Sequence, residues 1–319
     1  MKKMLALLLA LVMVLSLAAC ASSQPAAAST ETAETTETTE PAAEESAEAP
    51  AESGKTYTVG VCQLVQHEAL DAATQGFVDA LTEELGDAVT VDVQNASGDS
   101  VNCGTIVNGF VSKGVDLIMA NATPALTAAV SATADIPILG TSITAYGVAL
   151  DIDDFNGTVG GNVSGTSDLA DLQAQAQMIL DWFPETKTVG LLFCSAEPNS
   201  RYQIDEVRKA LEAQGVTCEE FAFTDSNDVS SVTQKAADFS DVVYIPTDNT
   251  AASNTEAIAN VLIPAGVPAI CGEEGLCRGC GVATLSISYY DLGVTTGKMA
   301  AKILKGEANI SEMPVEYTD

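Results

Sequence analysis

Gly157-Thr158-Val159-Gly160-Gly161-Asn162-Val163-Ser164-Gly165-Thr166-Ser167-Asp168 lies in the middle of the folded part of the chain. Its Gly, Ser and Thr residues make the backbone permissive, so it reads as a connection rather than an element interior. The sequence on either side tells one story twice. Upstream, the apolar run Tyr57-Thr58-Val59-Gly60-Val61-Cys62 is followed by a polar loop, a helix-period segment and a second run at Val89 to Val93. Downstream, Thr188-Val189-Gly190-Leu191-Leu192-Phe193-Cys194 opens the same succession, with a helix-period segment through Ile204, Val207 and Leu211 and a run from Val216 to Phe223. Val115 to Met119 then parallels Ser240 to Ile245, and Asp135-Ile136-Pro137 parallels Gly266-Val267-Pro268. The spacing is about 130 residues, far longer than a solenoid repeat. Two similar lobes follow, with the Gly-rich stretch as the passage between them.

Within each half, strands alternate with helical segments, which implies right-handed βαβ crossovers. The expected fold class is α/β: two Rossmann-like lobes, each a parallel sheet flanked by helices, joined by a hinge. Leu70, Phe77, Val78, Leu81 and Leu85 share one helical stripe that packs the first helix on its sheet. Pro184 stops the helix that begins near Asp168, and Trp182 just before it is expected in the core. The expected division is 56–165 with 286–306 in lobe 1, and 166–285 with 307–319 in lobe 2.

The first twenty residues read as an export signal. Lys2 and Lys3 precede an apolar run, and Leu17-Ala18-Ala19-Cys20 is a small-residue processing site ending in Cys. That site resembles the bacterial lipobox, in which the Cys is lipidated and becomes the new N-terminus. Residues 21–55 are almost wholly Ala, Ser, Thr, Glu and Pro. They hold too little apolar surface to repay ordering and are expected to form an acidic, disordered tether. At about 5–6 Å × √n, such a tether reaches roughly 30 Å.

With 13 basic against 44 acidic residues, the chain repels nucleic acid, and its acidity serves solubility. Of eight cysteines, Cys20 is assigned to the anchor, while Cys62, Cys194 and Cys271 sit in strand-like runs as small hydrophobes. Cys277 and Cys280 have the Cys-x-x-Cys spacing of a zinc or redox site, but no second pair follows, so no metal is expected. No Gly-x-Gly-x-x-Gly or phosphate-binding loop is present, and no cofactor is expected.

In parallel sheets, ligands bind beyond the carboxyl ends of the strands. In the first half those loops carry Gln63 and His67, then Asn95, then Thr123 with Pro124. Thr123 before Pro124 suits a helix cap whose free amides face a carboxylate. In the second half they carry Glu197, Asn199 and Ser200, then Thr224 to Asp228, then Asp248 and Asn249. Six such loops converging on one cleft supply donors on one side and carboxylates on the other, which describes an α-amino acid. Taken singly, the same residues are also ordinary turn and cap residues.

At these residues the chain resembles the extracytoplasmic solute-binding lipoproteins of ABC importers in the type I periplasmic-binding fold, specifically the tryptophan/tyrosine-binding family. The resemblance rests on Val59-Gly60-Val61 with Gln63, on His67-Glu68-Ala69-Leu70-Asp71, and on Gln94-Asn95-Ala96 with Gly98-Asp99. Ala122-Thr123-Pro124-Ala125, Gly161 to Gly165 with Ser167-Asp168, and Glu197-Pro198-Asn199-Ser200 continue it, as do Thr247-Asp248-Asn249 and Tyr289-Tyr290 with Leu292-Gly293. The chain departs from the family at Ser288, where an Asp is usual, and at Thr144-Ala145-Tyr146, where Thr-Asp-Pro is usual.

The resemblance implies capture of a small amino-acid-like solute by closure of the lobes, and its delivery to permease subunits by a monomeric, membrane-anchored protein without enzymatic activity. It also implies that Thr123 and Ser167 take the carboxylate and Asp248 the ammonium, while Glu197, Asn199 and Ser200 close from the second lobe and Tyr289 forms an aromatic wall. Asp168 counts among the ligand contacts. A ligand-binding sensor lipoprotein is compatible with the same sequence. A cysteine-dependent enzyme using Cys62 and His67 requires those two side chains to meet.

Overall fold

A computed structural model describes residues 55–318. The signal segment and Cys20 lie outside the described residues, as does the tether except for Lys55.

The first lobe runs β1 (Tyr57–Gln63), α1 (Glu68–Leu85), β2 (Val89–Asn95), α2 (Ser100–Lys113), β3 (Leu117–Asn121), α3 (Thr123–Ala132), β4 (Ile138–Ile143), α4 (Tyr146–Ala149) and β5 (Val163–Ser167). The second runs α5 (Leu172–Trp182), β6 (Thr188–Cys194), α6 (Pro198–Glu212), β7 (Thr217–Phe223), α7 (Val229–Phe239), β8 (Val242–Ile245), α8 (Asn249–Ala252), α9 (Thr255–Ala265), β9 (Ala269–Cys271), α10 (Glu274–Cys280) and β10 (Ala283–Thr284). The chain then returns through α11 (Tyr289–Leu304) and β11 (Glu316–Tyr317). One sheet has the order β11-β5-β4-β3-β1-β2 and the other β10-β9-β8-β6-β7, and every strand pair is parallel. This is the α/β architecture the sequence pattern predicts.

The repeat extends to single residues. Val59 of β1 lies between Val91 and Leu117, and Val189 of β6 lies between Cys218 and Val242. Asp116 accepts the Thr58 backbone N–H at 2.7 Å, and Asp241 accepts that of Thr188 at 2.9 Å. In each lobe a carboxylate ties down the amino end of the first strand of the repeat, satisfying an amide left free by the ladder.

The Gly-rich stretch is not wholly the connection its composition suggests. Val163–Ser167 is β5, buried along its whole length, and the chain leaves the first sheet only at 168–171. Polar side chains are tolerated there because each has a partner. Thr166 meets Thr141 at 3.2 Å and Thr296 at 2.9 Å, and the Ser164 hydroxyl donates to the Met313 carbonyl at 3.0 Å. Thr166 and Ser167 therefore belong to the first lobe, beyond the boundary expected at 165.

Two further expectations are corrected. Residues 307–319 were expected in the second lobe, but β11 pairs with β5, Glu316 opposite Thr166 and Tyr317 opposite Ser167. Ile310, Met313 and Val315 carry this segment into the core of the first lobe. Trp182 was expected in the core and is 58 % exposed, because α5 buries Leu172, Ala176 and Ile179 instead.

The return helix is held by close approach to α1. A Cβ on Gly76 would lie 2.1 Å from the Tyr290 carbonyl oxygen, and one on Gly293 would lie 2.0 Å from that of Ala73. The two backbones therefore touch, and Tyr289 is fixed at the mouth of the interlobe cleft.

Candidate ligand site between the lobes

The carboxyl ends of both sheets face each other across a small cavity of about 10 Å³. The first lobe contributes His67 and Leu70 at the start of α1, Ser142 and Thr144 around the end of β4, and Tyr289. The second contributes Asn199, Thr247, Asp248, Asn249, Ala252 and Glu273, and Asp168 sits where the chain crosses over. The lobes touch directly. His67 Nε2 meets Asn249 Oδ1 at 3.2 Å, the Thr144 and Thr247 hydroxyls lie 3.5 Å apart, and Arg278 pairs with Glu68 at 2.5 Å.

Asp168 is the most exceptional group. Its Oδ2 accepts the Tyr289 hydroxyl at 2.8 Å, whereas Oδ1 is buried without a hydrogen-bond partner among the described residues. Burial raises its pKa, against the opposing hydrogen bond of Tyr289. An unpaired buried carboxylate oxygen is costly and calls for a cationic donor. His67 Nδ1, Ser142 Oγ and Asn199 Oδ1 are likewise buried and partnerless, and all three residues line the same cavity. Ser142 also holds a left-handed backbone, φ 56°, the kind of strain that collects at ligand sites.

The structure sorts the expected residues. His67, Asp168, Asn199, Asp248, Asn249 and Tyr289 come together at the cavity. Gln63 instead ties α1 to β1, donating to Asp71 at 2.6 Å and accepting from Thr74 at 2.6 Å. Asn95 closes a turn by accepting the Ser97 amide at 2.7 Å. Thr123 is the first residue of α3, not its cap; Ala122 precedes it at φ 88°, and neither Thr123 nor Pro124 lines the cavity. The Ser167 hydroxyl is used within the crossover, donating to the Thr144 carbonyl and accepting the Leu169 amide. Ser200 is buried beside Asp248.

Glu197 does not face the cavity either. Both its oxygens are taken by the start of α8, through the Asn249 amide at 3.0 Å and the Thr250 amide at 2.9 Å. Cys62 and His67 do not meet: Cys62 is buried in the same core cluster as Cys103, and His67 faces Asn249. Among the described residues no group of three or more His, Cys, Asp or Glu is placed to hold a metal ion.

Asp248 caps α8, its Oδ1 accepting the Ala251 amide at 2.8 Å and Oδ2 the Cys194 amide at 2.6 Å. Both its oxygens are engaged by the backbone. Asp248→Asn is accordingly expected to act on stability. The amide nitrogen would confront one of those N–H groups and leave it unpaired, costing about 1–3 kcal/mol in urea denaturation. An unchanged unfolding midpoint would contradict the cap.

Glu273 and Ser142, absent from the expected set, complete the site. Glu273 caps α10, accepting the Leu276 and Gly275 amides, and lines the cavity beside Tyr289. It follows the carboxyl end of β9 just as Asp248 follows β8, and that position is its only sequence signal. Burial pushes Glu273 up to about 7 and Asp248 up to about 8. In both cases the folded state holds a proton that the unfolded chain releases near pH 4, so their contribution to stability is lost as pH rises from about 4 to about 8. The melting temperature without added ligand is expected to fall between pH 5 and pH 8, and Glu273→Gln to flatten that slope. A rise over this range in the parent protein would contradict the burial of these carboxyls.

Two lobes closed on a polar, buried cavity define a binding protein of the type I periplasmic-binding fold. The sequence profile of the ABC transporter substrate-binding proteins matches residues 58–319, and the chain belongs to that family. Its members are extracytoplasmic, bind small-molecule solutes and work with ABC-transporter permeases. No helix among the described residues is long and apolar enough to cross a membrane.

The chain is 32 % identical over 274 residues to a tyrosine-binding protein of Clostridioides difficile, covering 84 % of this chain and 78 % of that one. It is 33 % identical to the ABC domain from Streptococcus pneumonia solved in complex with L-Trp, with a TM-score of 0.79 over 83 % of this chain and 90 % of that one. Against the ligand-free, open structure of a substrate-binding protein with adhesive properties from Clostridium difficile, the identity is 35 % over the same shares, yet the TM-score is 0.61. Similar identity with poorer superposition on the open form fits the closed lobes seen here.

Proposed function

We propose that this protein captures an α-amino acid, of the aromatic class that its relatives bind, and presents it to an ABC permease. The observation that carries the proposal is the Asp168 Oδ1 atom, buried and partnerless at the interlobe cavity. A ligand ammonium supplies the charge-assisted donor it lacks. Of the partnerless cavity groups among the described residues, the Ser142 hydroxyl is the one able to donate to a ligand carboxylate. Leu70, Ala252 and Tyr289 form the apolar part of the lining, where the ligand side chain rests.

The protein acts by binding alone and carries out no reaction. It works as a monomer held to the membrane by a lipidated Cys20, which the processing site and the Ala/Ser/Thr/Glu/Pro segment after it support. Closure of the lobes about the crossovers completes the site, and the closed form is what the permease reads. Thermal-shift screening against the L-amino acids tests the reading. At 100 times its dissociation constant a true ligand stabilises the fold by about 2.7 kcal/mol. Failure of every L-amino acid to raise the melting temperature would refute it.

A further inference from the structure

Glu197 reaches the cavity only through its neighbours, and it fixes which way they point. Backbone N–H groups occupy both its oxygens, so it can only accept. It therefore holds the Asn249 side chain by its Nδ2, at 2.7 Å, and turns Asn249 Oδ1 toward His67. Asn249 Oδ1 must accept, so His67 carries its proton on Nε2. A neutral ring then leaves a bare lone pair on Nδ1, the atom that is buried and partnerless. Burial lowers the pKa of His67, which keeps the ring neutral.

Asn199 is turned by the same logic. Its Nδ2 donates to the Thr247 carbonyl at 3.1 Å and to Glu197 at 3.2 Å, so the partnerless Oδ1 is an acceptor too. With Asp168 Oδ1, three of the four partnerless polar atoms at the cavity accept and cannot donate. A primary ammonium has three N–H groups.

We infer that His67 Nδ1, Asn199 Oδ1 and Asp168 Oδ1 together read the three N–H groups of an unalkylated ammonium, and that Glu197 is the positioning residue that sets this polarity. The inference rests on the amino-acid reading above and narrows it: N-alkylated amino acids are rejected, because each methyl group replaces a donor and leaves a buried acceptor unpaired.

Two measurements on the full chain test it separately. His67 is the only histidine of the protein, so its imidazole nitrogens are resolved singly by 15N NMR. The expected spectrum at neutral pH shows Nε2 protonated and Nδ1 bare; a proton on Nδ1 overturns the assignment whether or not any ligand binds. Calorimetry then compares L-tyrosine and L-tryptophan with their N-methyl and N,N-dimethyl forms. The first methyl is expected to weaken binding about tenfold or more, the range for leaving one buried acceptor unpaired, and the second to weaken it further. Asn199→Ala, which removes one acceptor, is expected to narrow the gap between parent and N-methyl ligand. Equal binding of parent and N-methyl ligands overturns the inference while leaving the amino-acid reading intact. If neither parent amino acid binds, the tyrosine and tryptophan part of that reading fails, and the NMR spectrum still decides the His67 assignment.

Discussion

Asp168→Asn is expected to weaken ligand binding by about 2–5 kcal/mol, the range for removing one partner of a buried, hydrogen-bonded charge pair. The substitution preserves size, and the remaining side-chain oxygen can still accept the Tyr289 hydroxyl at the position of Oδ2. It takes away the charge and turns an acceptor at Oδ1 into a donor aimed at the ligand ammonium. The fold should hold without ligand, or gain slightly, because a buried carboxyl with no partner on one oxygen is a liability. Calorimetry and unliganded melting together separate these effects. Equal affinity in Asp168→Asn would remove Asp168 from the site.

Gly165→Ala is expected to have the largest effect on stability, about 3 kcal/mol or more. Gly165 sits in β5 at φ 145°, a conformation that L side chains rarely adopt. A Cβ there would lie 2.0 Å from the Gly140 carbonyl oxygen and 2.6 Å from its amide nitrogen. These are backbone atoms of the paired strand, so no rotamer change relieves the clash. Gly157→Ala is the control: it also has a positive φ, 95°, but nothing within 4 Å, and should cost only about 1–2 kcal/mol. Comparable urea midpoints for the two variants would contradict the packing of β5 described here.

The same residues show how far the sequence could be read. The lobe repeat was legible because apolar strand runs recur with the same polar punctuation, and it survives to the paired Asp116 and Asp241. β5 was hidden because Ser164, Gly165, Thr166 and Ser167 carry no apolar alternation. Their burial depends on partners far along the chain, Thr296 and Met313 among them. The placement of 307–319 was hidden for the same reason, since β11 is two residues long and has a partner only in β5.

At the site, the loops that converge were identifiable from their place after the strands, but not the job of each side chain. Glu197 and Asp248 have the residue type of an ammonium partner and are absorbed by helix amides. Asp168 has the same type and keeps one oxygen unpaired. The difference lies in which backbone N–H groups happen to be near, which composition does not encode. Ser142 was passed over because it ends a buried strand, where a hydroxyl ordinarily bonds within the sheet.

The most direct test of the account is a crystal structure of the protein with the amino acid that most raises its melting temperature. The ligand is expected between the lobes, with its ammonium nitrogen about 2.7–2.9 Å from Asp168 Oδ1 and its carboxylate at the Ser142 hydroxyl. An ammonium held by Asp248 or Glu197, or a ligand seated outside the interlobe cavity, would contradict it.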